Sequence, residues 1–138
     1  MKTNRVALLL SLVLLAGACA MPASSDEGLR SRVLPESVWG SEQETFTVLA
    51  DRATFEGLCV DGAIEQNIVV DDAGSFTAEG TLRRRGGARI DDAPPATVRY
   101  EGMVRGETLT LTITGPDHTP ILTATLRKGI RGQARPCA

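Results

Sequence analysis

The chain has 138 residues, which allows one folded domain once its ends are set aside. Fifteen Lys and Arg stand against 17 Asp and Glu, a formal net charge of −2 with a single His. That balance lacks the basic footprint of a nucleic-acid binder.

Residues 1–18 have the layout of an export signal. Lys2 and Arg5 form a positive start, and residues 6–18 form an apolar h-region of thirteen residues broken only by Ser11. A membrane-spanning helix needs about 20 apolar residues, so this run is too short to span. It ends in Leu14-Leu15-Ala16-Gly17-Ala18-Cys19-Ala20. Two processing routes follow. In the first, Ala16-Gly17-Ala18-Cys19 is a lipobox, the chain is cut before Cys19 and its thiol is lipidated. In the second, Ala18-Cys19-Ala20 is an ordinary A-x-A site and the cut falls after Ala20. The lipobox is the leading reading, although Ala16 stands where Leu is usual.

Residues 19–37 read as a flexible tether. They are small, polar or charged, are bracketed by Pro22 and Pro35, and carry no sustained period. About fifteen such residues reach roughly 20 Å by the random-coil rule, which holds a domain clear of a membrane surface. From Cys19 onward the chain keeps all 17 acidic residues and loses Lys2 and Arg5, giving a charge of −4.

Residues 38–138 read as the folded domain. Trp39 precedes the first expected strand and is placed at one end of the core. Seven segments then alternate with period 2: residues 45–50 (TFTVLA), 52–60 (RATFEGLCV), 67–70 (NIVV), 75–85 (SFTAEGTLRRR), 96–105 (ATVRYEGMVR), 108–114 (TLTLTIT) and 120–128 (PILTATLRK). This is the half-buried strand pattern. Turn residues separate them, among them Gly74, the pair Gly106-Glu107 and Gly115-Pro116-Asp117-His118. No segment carries a helical period, and the short links imply an antiparallel meander. The expected class is all-β: a small antiparallel up-and-down barrel of seven or eight strands, with a two-sheet sandwich as the alternative. The terminal ARPCA could supply the eighth strand. An outer-membrane barrel does not fit, because Thr, Arg and Glu occupy the faces opposite the apolar ones and the chain has only five aromatic residues. Ala53, Gly57, Ala78, Gly80, Gly102 and Ala124 put small residues on inward positions. They allow either a tightly packed interior or a cavity for an apolar guest.

Under either processing route Cys19 is lipidated or removed. Cys59 and Cys137 remain as an even pair, which in an exported protein reads as a disulfide. It would close a loop of about 79 residues, for which chain entropy gives roughly 4.5 kcal/mol at most.

No catalytic constellation emerges. His118 sits in a turn beside Asp117 with no nucleophile assignable to it. Asp71-Asp72 and Asp91-Asp92 are adjacent loop pairs without the spaced oxygens of a calcium loop, so no metal and no cofactor are expected. Arg83, Arg84, Arg85 and Arg89 form the densest basic cluster. With Asp91 and Asp92 they make up the candidate partner-binding loop, and the long connection Gly86–Pro95 is the loop an inhibitor would use.

The segment Val38-Trp39-Gly40-Ser41-Glu42, the strand after it, and Gly57-Leu58-Cys59-Val60-Asp61-Gly62-Ala63-Ile64 carry a resemblance. They resemble a family of small uncharacterised bacterial proteins, secreted or lipid-anchored, whose pattern runs roughly W-G-x-x-H, a strand, C-A-H-G-x-I and a terminal Cys. The resemblance covers about residues 38–137. Here Gln43 stands at the first His position and Asp61 at the second, so no role of those histidines carries over. The resemblance implies an envelope protein and no activity. In shape the chain also looks like small envelope β-barrel lipoproteins, some of which inhibit proteases or lysozyme and some of which bind lipophilic ligands.

The expectation is a non-enzymatic bacterial envelope lipoprotein, anchored to a membrane through its N-terminal lipid and acting by binding. One alternative is an inhibitor of a secreted protease or lysozyme. Another is a lipocalin-like carrier of a small apolar ligand. A secreted or soluble periplasmic protein is the alternative address.

Overall fold

The structure, a computed structural model, describes residues 31–86, 94–133, 135 and 137. Ten strands follow in chain order: β1 Arg32–Val33, β2 Ser37–Gly40, β3 Thr45–Val48, β4 Ala53–Gly57, β5 Val60–Ile64, β6 Val69–Val70, β7 Ser75–Arg84, β8 Ala96–Arg105, β9 Thr108–Thr114 and β10 Pro120–Lys128. Eight of them close an antiparallel barrel in the order β10-β2-β3-β4-β5-β7-β8-β9. Each strand pairs with its sequence neighbour in the barrel, so the connectivity is up-and-down. Closure joins the two outer strands that a flat meander would leave as edges, though β10 and β2 meet over only two residue pairs.

Alternation sorts the side chains. On β9, Leu109, Leu111 and Ile113 are buried, and on β7, Thr77 and Glu79 are exposed while Phe76 and Ala78 are buried. The barrel interior is filled. Phe46 and Phe76 stack with ring centroids 6.2 Å apart and planes 9° apart. Phe55, Tyr100, Leu109, Leu111, Ile113 and Leu126 complete the fill, each at most 1% exposed. The inward glycines sit beneath these rings. A Cβ at Gly102 would overlap the ring of Phe76, its register partner, and one at Gly80 would come within 2.8 Å of the Tyr100 ring. Glycine beneath an aromatic ring is a known way to pack a curved sheet. Of the two uses open to these small residues, tight packing is the one observed.

The expected strands differ from the observed ones in three places. The eighth barrel strand is β2 around Trp39, not the C-terminus. Trp39 pairs with Phe46 and is 2% exposed, so it lies within the barrel wall. At four residues, β2 is too short to show a period. Second, residues 52–60 do not form one strand. They break at Leu58 and Cys59, where Cys59 takes a positive φ of 59°, and β5 follows. Its sequence, VDGAI, is poor in β-formers and hides its alternation. Third, β6 lies outside the barrel, in a two-stranded sheet with β1.

That small sheet fastens the end of the expected tether. Leu34 N donates to Ile68 O at 2.8 Å, and Leu34, Ile68 and Val70 are buried against the core. Residues 32–34 are therefore part of the folded domain, held by one apolar side chain in a segment without periodicity.

The antiparallel order gives the barrel two ends. One carries β6 and the turns at residues 49–52 and 106–107. The other carries the turns at residues 41–44, 58–59 and 115–119 and the connection after β7. The second end holds the candidate site.

Candidate functional site

The disulfide Cys59–Cys137 forms, with Cα atoms 5.4 Å apart. Cys59 lies in the tight turn between β4 and β5, so the bond draws the penultimate residue of the chain to this mouth. After β10 the chain turns at Gly129 (φ 78°) and comes back past the β2–β3 hairpin. Gly132 N donates to Thr45 Oγ1 at 2.8 Å and Gln133 N to Glu42 O at 2.9 Å.

The arginine run ends β7 at the same mouth. Alternation splits it. Arg83 points outward beside Asp61, its register partner on β5, with Nη2 to Oδ2 at 3.1 Å. Arg85 reaches the same carboxylate, Nε to Oδ1 at 3.4 Å, and its backbone N donates to Cys59 O at 2.7 Å. Arg84 takes the inward parity. Because it stands beyond Leu82, it projects over the mouth and not into the barrel.

Around Arg84 lie two adjoining clefts. One, of about 460 Å³, is lined by Leu58, Val60, Leu122 and the disulfide. The other, of about 320 Å³, is lined by Pro94, Ala96 and Val98. Leu82, Arg84 and Ile121 border both. Leu58 is 47% and Ile121 45% exposed, so large apolar side chains stand beside guanidinium groups on one surface.

The candidate loop is thus assembled in part. Arg83, Arg84 and Arg85 share the mouth with the disulfide, while Arg89, Asp91 and Asp92 lie outside the described residues, as does Cys19. The carboxylate that neutralises Arg83 and Arg85 is Asp61, the residue at the second His position of the resemblance. No short-range pattern could have found this pair, since 22 residues separate Asp61 from Arg83 and only strand register joins them.

The remaining titratable groups do not line these two clefts. His118 is exposed at the β9–β10 turn with φ 62°. Asp117 accepts bonds from Thr119 Oγ1 at 2.8 Å and Thr119 N at 3.1 Å. These bonds hold its carboxyl below the usual range, with the nearby His118 a lesser influence. Asp117 therefore serves its own turn. Tyr100 is buried, and its OH donates to Thr81 O at 2.6 Å. Burial first, and the Asp61 charge second, push its phenol well above the ordinary value. Asp71 accepts from Ser75 N at 2.8 Å and closes the turn before β7. Among the described residues no three His, Cys, Asp or Glu side chains gather as a metal site, and no helix is long and apolar enough to cross a membrane.

Comparison with protein-family models, with curated proteins and with solved structures finds no match.

Proposed function

We propose that the protein is a non-enzymatic bacterial envelope lipoprotein, held to a membrane by lipid on Cys19, that binds a protein partner through the mouth of its barrel. One observation carries this reading. The mouth exposes Leu58 and Ile121 beside Arg84 while the interior beneath is filled. Exposed apolar side chains ringed by arginine are typical of the centre of a protein interface, where Arg and large apolar groups concentrate. Asp61 fixes Arg83 and Arg85, so part of the basic rim is already ordered before any partner arrives. The filled interior supports this reading over that of a carrier holding an apolar guest inside the barrel.

Inhibition of a secreted protease or lysozyme is a special case of the same reading, with the enzyme as the partner. It rests on the loop that leaves β7 at this mouth.

A photo-crosslinking residue at Leu58 or Ile121, introduced in the producing cell, should trap a discrete partner protein. The same residue at Thr77, on the outer wall, should not. Equal trapping at all three positions, or none at any, would overturn the reading. Potent inhibition of one secreted hydrolase, lost on Arg84→Glu, would identify that enzyme as the partner.

A further inference from the structure

The barrel closes unevenly. β9 and β10 are joined through seven residue pairs, but β10 and β2 through only two, Arg127 with Gly40 and Lys128 with Trp39. The cause is local. Ser41 N donates to Glu44 O, and the Ser41 hydroxyl bonds the Glu44 carboxylate and accepts from Glu44 N, which turns the chain at once after Gly40. β10 continues without a β2 partner from Leu126 back to Pro120.

The direction of its backbone groups follows from two bonds. Lys128 N donates to Glu107 O on the β9 side, and Gly129 N donates to Val38 O on the β2 side. Antiparallel strands alternate. Thr123 and Thr125 therefore turn their N–H and C=O groups away from β9, toward the seam, where no strand lies opposite them among the described residues. A groove of about 880 Å³ opens there, within the ordinary size range of binding clefts. Thr125 and Arg127 of β10 form one wall, and the β2–β3 turn with the returning chain at Arg131, Gln133 and Arg135 forms the other. It shares no lining residue with the two clefts of the mouth. Among the described residues, Arg127, Arg131 and Arg135 have no carboxylate within salt-bridge distance, and Glu42 is the one acidic side chain in the lining.

From this we infer a second binding site: the seam takes an extended acidic polypeptide segment, which adds as a strand to the free edge of β10. Two features select that occupant. A bare strand edge is completed by backbone amides, which an extended peptide supplies and a compact anion does not. Three guanidiniums with no carboxylate partner among the described residues, against one carboxylate in the lining, favour acidic side chains on that peptide. The mouth reading can fail without affecting this one, because the two surfaces are separate.

The test uses the full chain and short fluorescent peptides followed by anisotropy. A peptide of alternating Glu and Val should bind, and its Lys/Val counterpart should bind at least about tenfold more weakly. Methylating alternate backbone nitrogens of the Glu/Val peptide should also cost about tenfold, on whichever alternate set faces β10, with charge unchanged. Binding should slow hydrogen exchange at the Thr123 and Thr125 amides. The triple variant Arg127→Ala, Arg131→Ala, Arg135→Ala should lose the preference for Glu over Lys. Equal binding of methylated and unmethylated peptides, or displacement by dextran sulfate with no protection of Thr123 and Thr125, would place a simple polyanion in the groove and overturn strand addition. No binding of the Glu/Val peptide would overturn the site.

Discussion

Phe76 lies directly across from Gly102, and its ring occupies the space that a side chain at Gly102 would need. The pair belongs to β7 and β8, two ten-residue strands. A residue with no side chain and one with a large flat ring share one site in the barrel interior. Each therefore sets the tolerance for the other.

Gly102→Ala should destabilise the domain by about 1–3 kcal/mol, the usual cost of overpacking a filled core. Denaturant unfolding measures it. Phe76→Leu in the same chain should recover part of the loss, because the methyl would then meet a smaller neighbour. Strictly additive costs in the double variant would show that ring and glycine do not compete for space.

Cys59→Ser and Cys137→Ser should each cost about 2–5 kcal/mol, as removal of a native disulfide commonly does. The double variant should be no less stable than the worse single one, since either change removes the same bond. The stability of the unaltered protein under reductant should match theirs.

Tyr100 is the sole tyrosine, so its ionisation can be read from ultraviolet absorbance alone. Its folded pKa is raised by burial, and secondly by Asp61. The stabilisation linked to it is therefore complete below the unfolded tyrosine value of about 10 and declines as pH rises above it. Tyrosinate should appear together with loss of fold in alkali. A tyrosinate signal near the ordinary value with the fold intact would contradict the buried bond to Thr81.

Leu34→Ala should lower stability by about 2 kcal/mol, at the low end for a buried leucine because this side chain packs at the rim of the core. Val33→Ala, at the exposed end of β1 next to it, should stay within about 0.5 kcal/mol. An equal small effect at both would return residues 32–34 to the tether.

Cys19→Ser should abolish incorporation of labelled palmitate if Cys19 is the lipid attachment site. A mature chain that takes up no label and begins at Met21 would show the A-x-A cut instead.

Much of the barrel is legible in the sequence. β7, β8, β9 and β10 are long enough for period 2 to show, and Gly74 and Gly106 mark turns where the chain takes positive φ values of 85° and 57°. What escapes is short or masked. β2 and β5 have four and five residues, and β5 holds Gly and Asp where a strand usually holds branched or aromatic residues. The arginine cluster could be read as a charge run. Its division into an outward Arg83 and Arg85 on Asp61 and an Arg84 over the mouth required the pairing of β5 with β7.

By itself the sequence determined the all-β class and the antiparallel meander, favoured a barrel over a two-sheet sandwich, and paired Cys59 with Cys137, because alternation, turn chemistry and cysteine parity are local or countable properties. The tertiary structure alone decided that the small inward residues sit beneath aromatic rings, that β2 and not the C-terminus closes the barrel, and that β2 covers only the last residues of β10 at the seam. These are outcomes of register and of the space left between strands distant in the chain. Register depends on which faces are buried together, and that exists only once the barrel has closed.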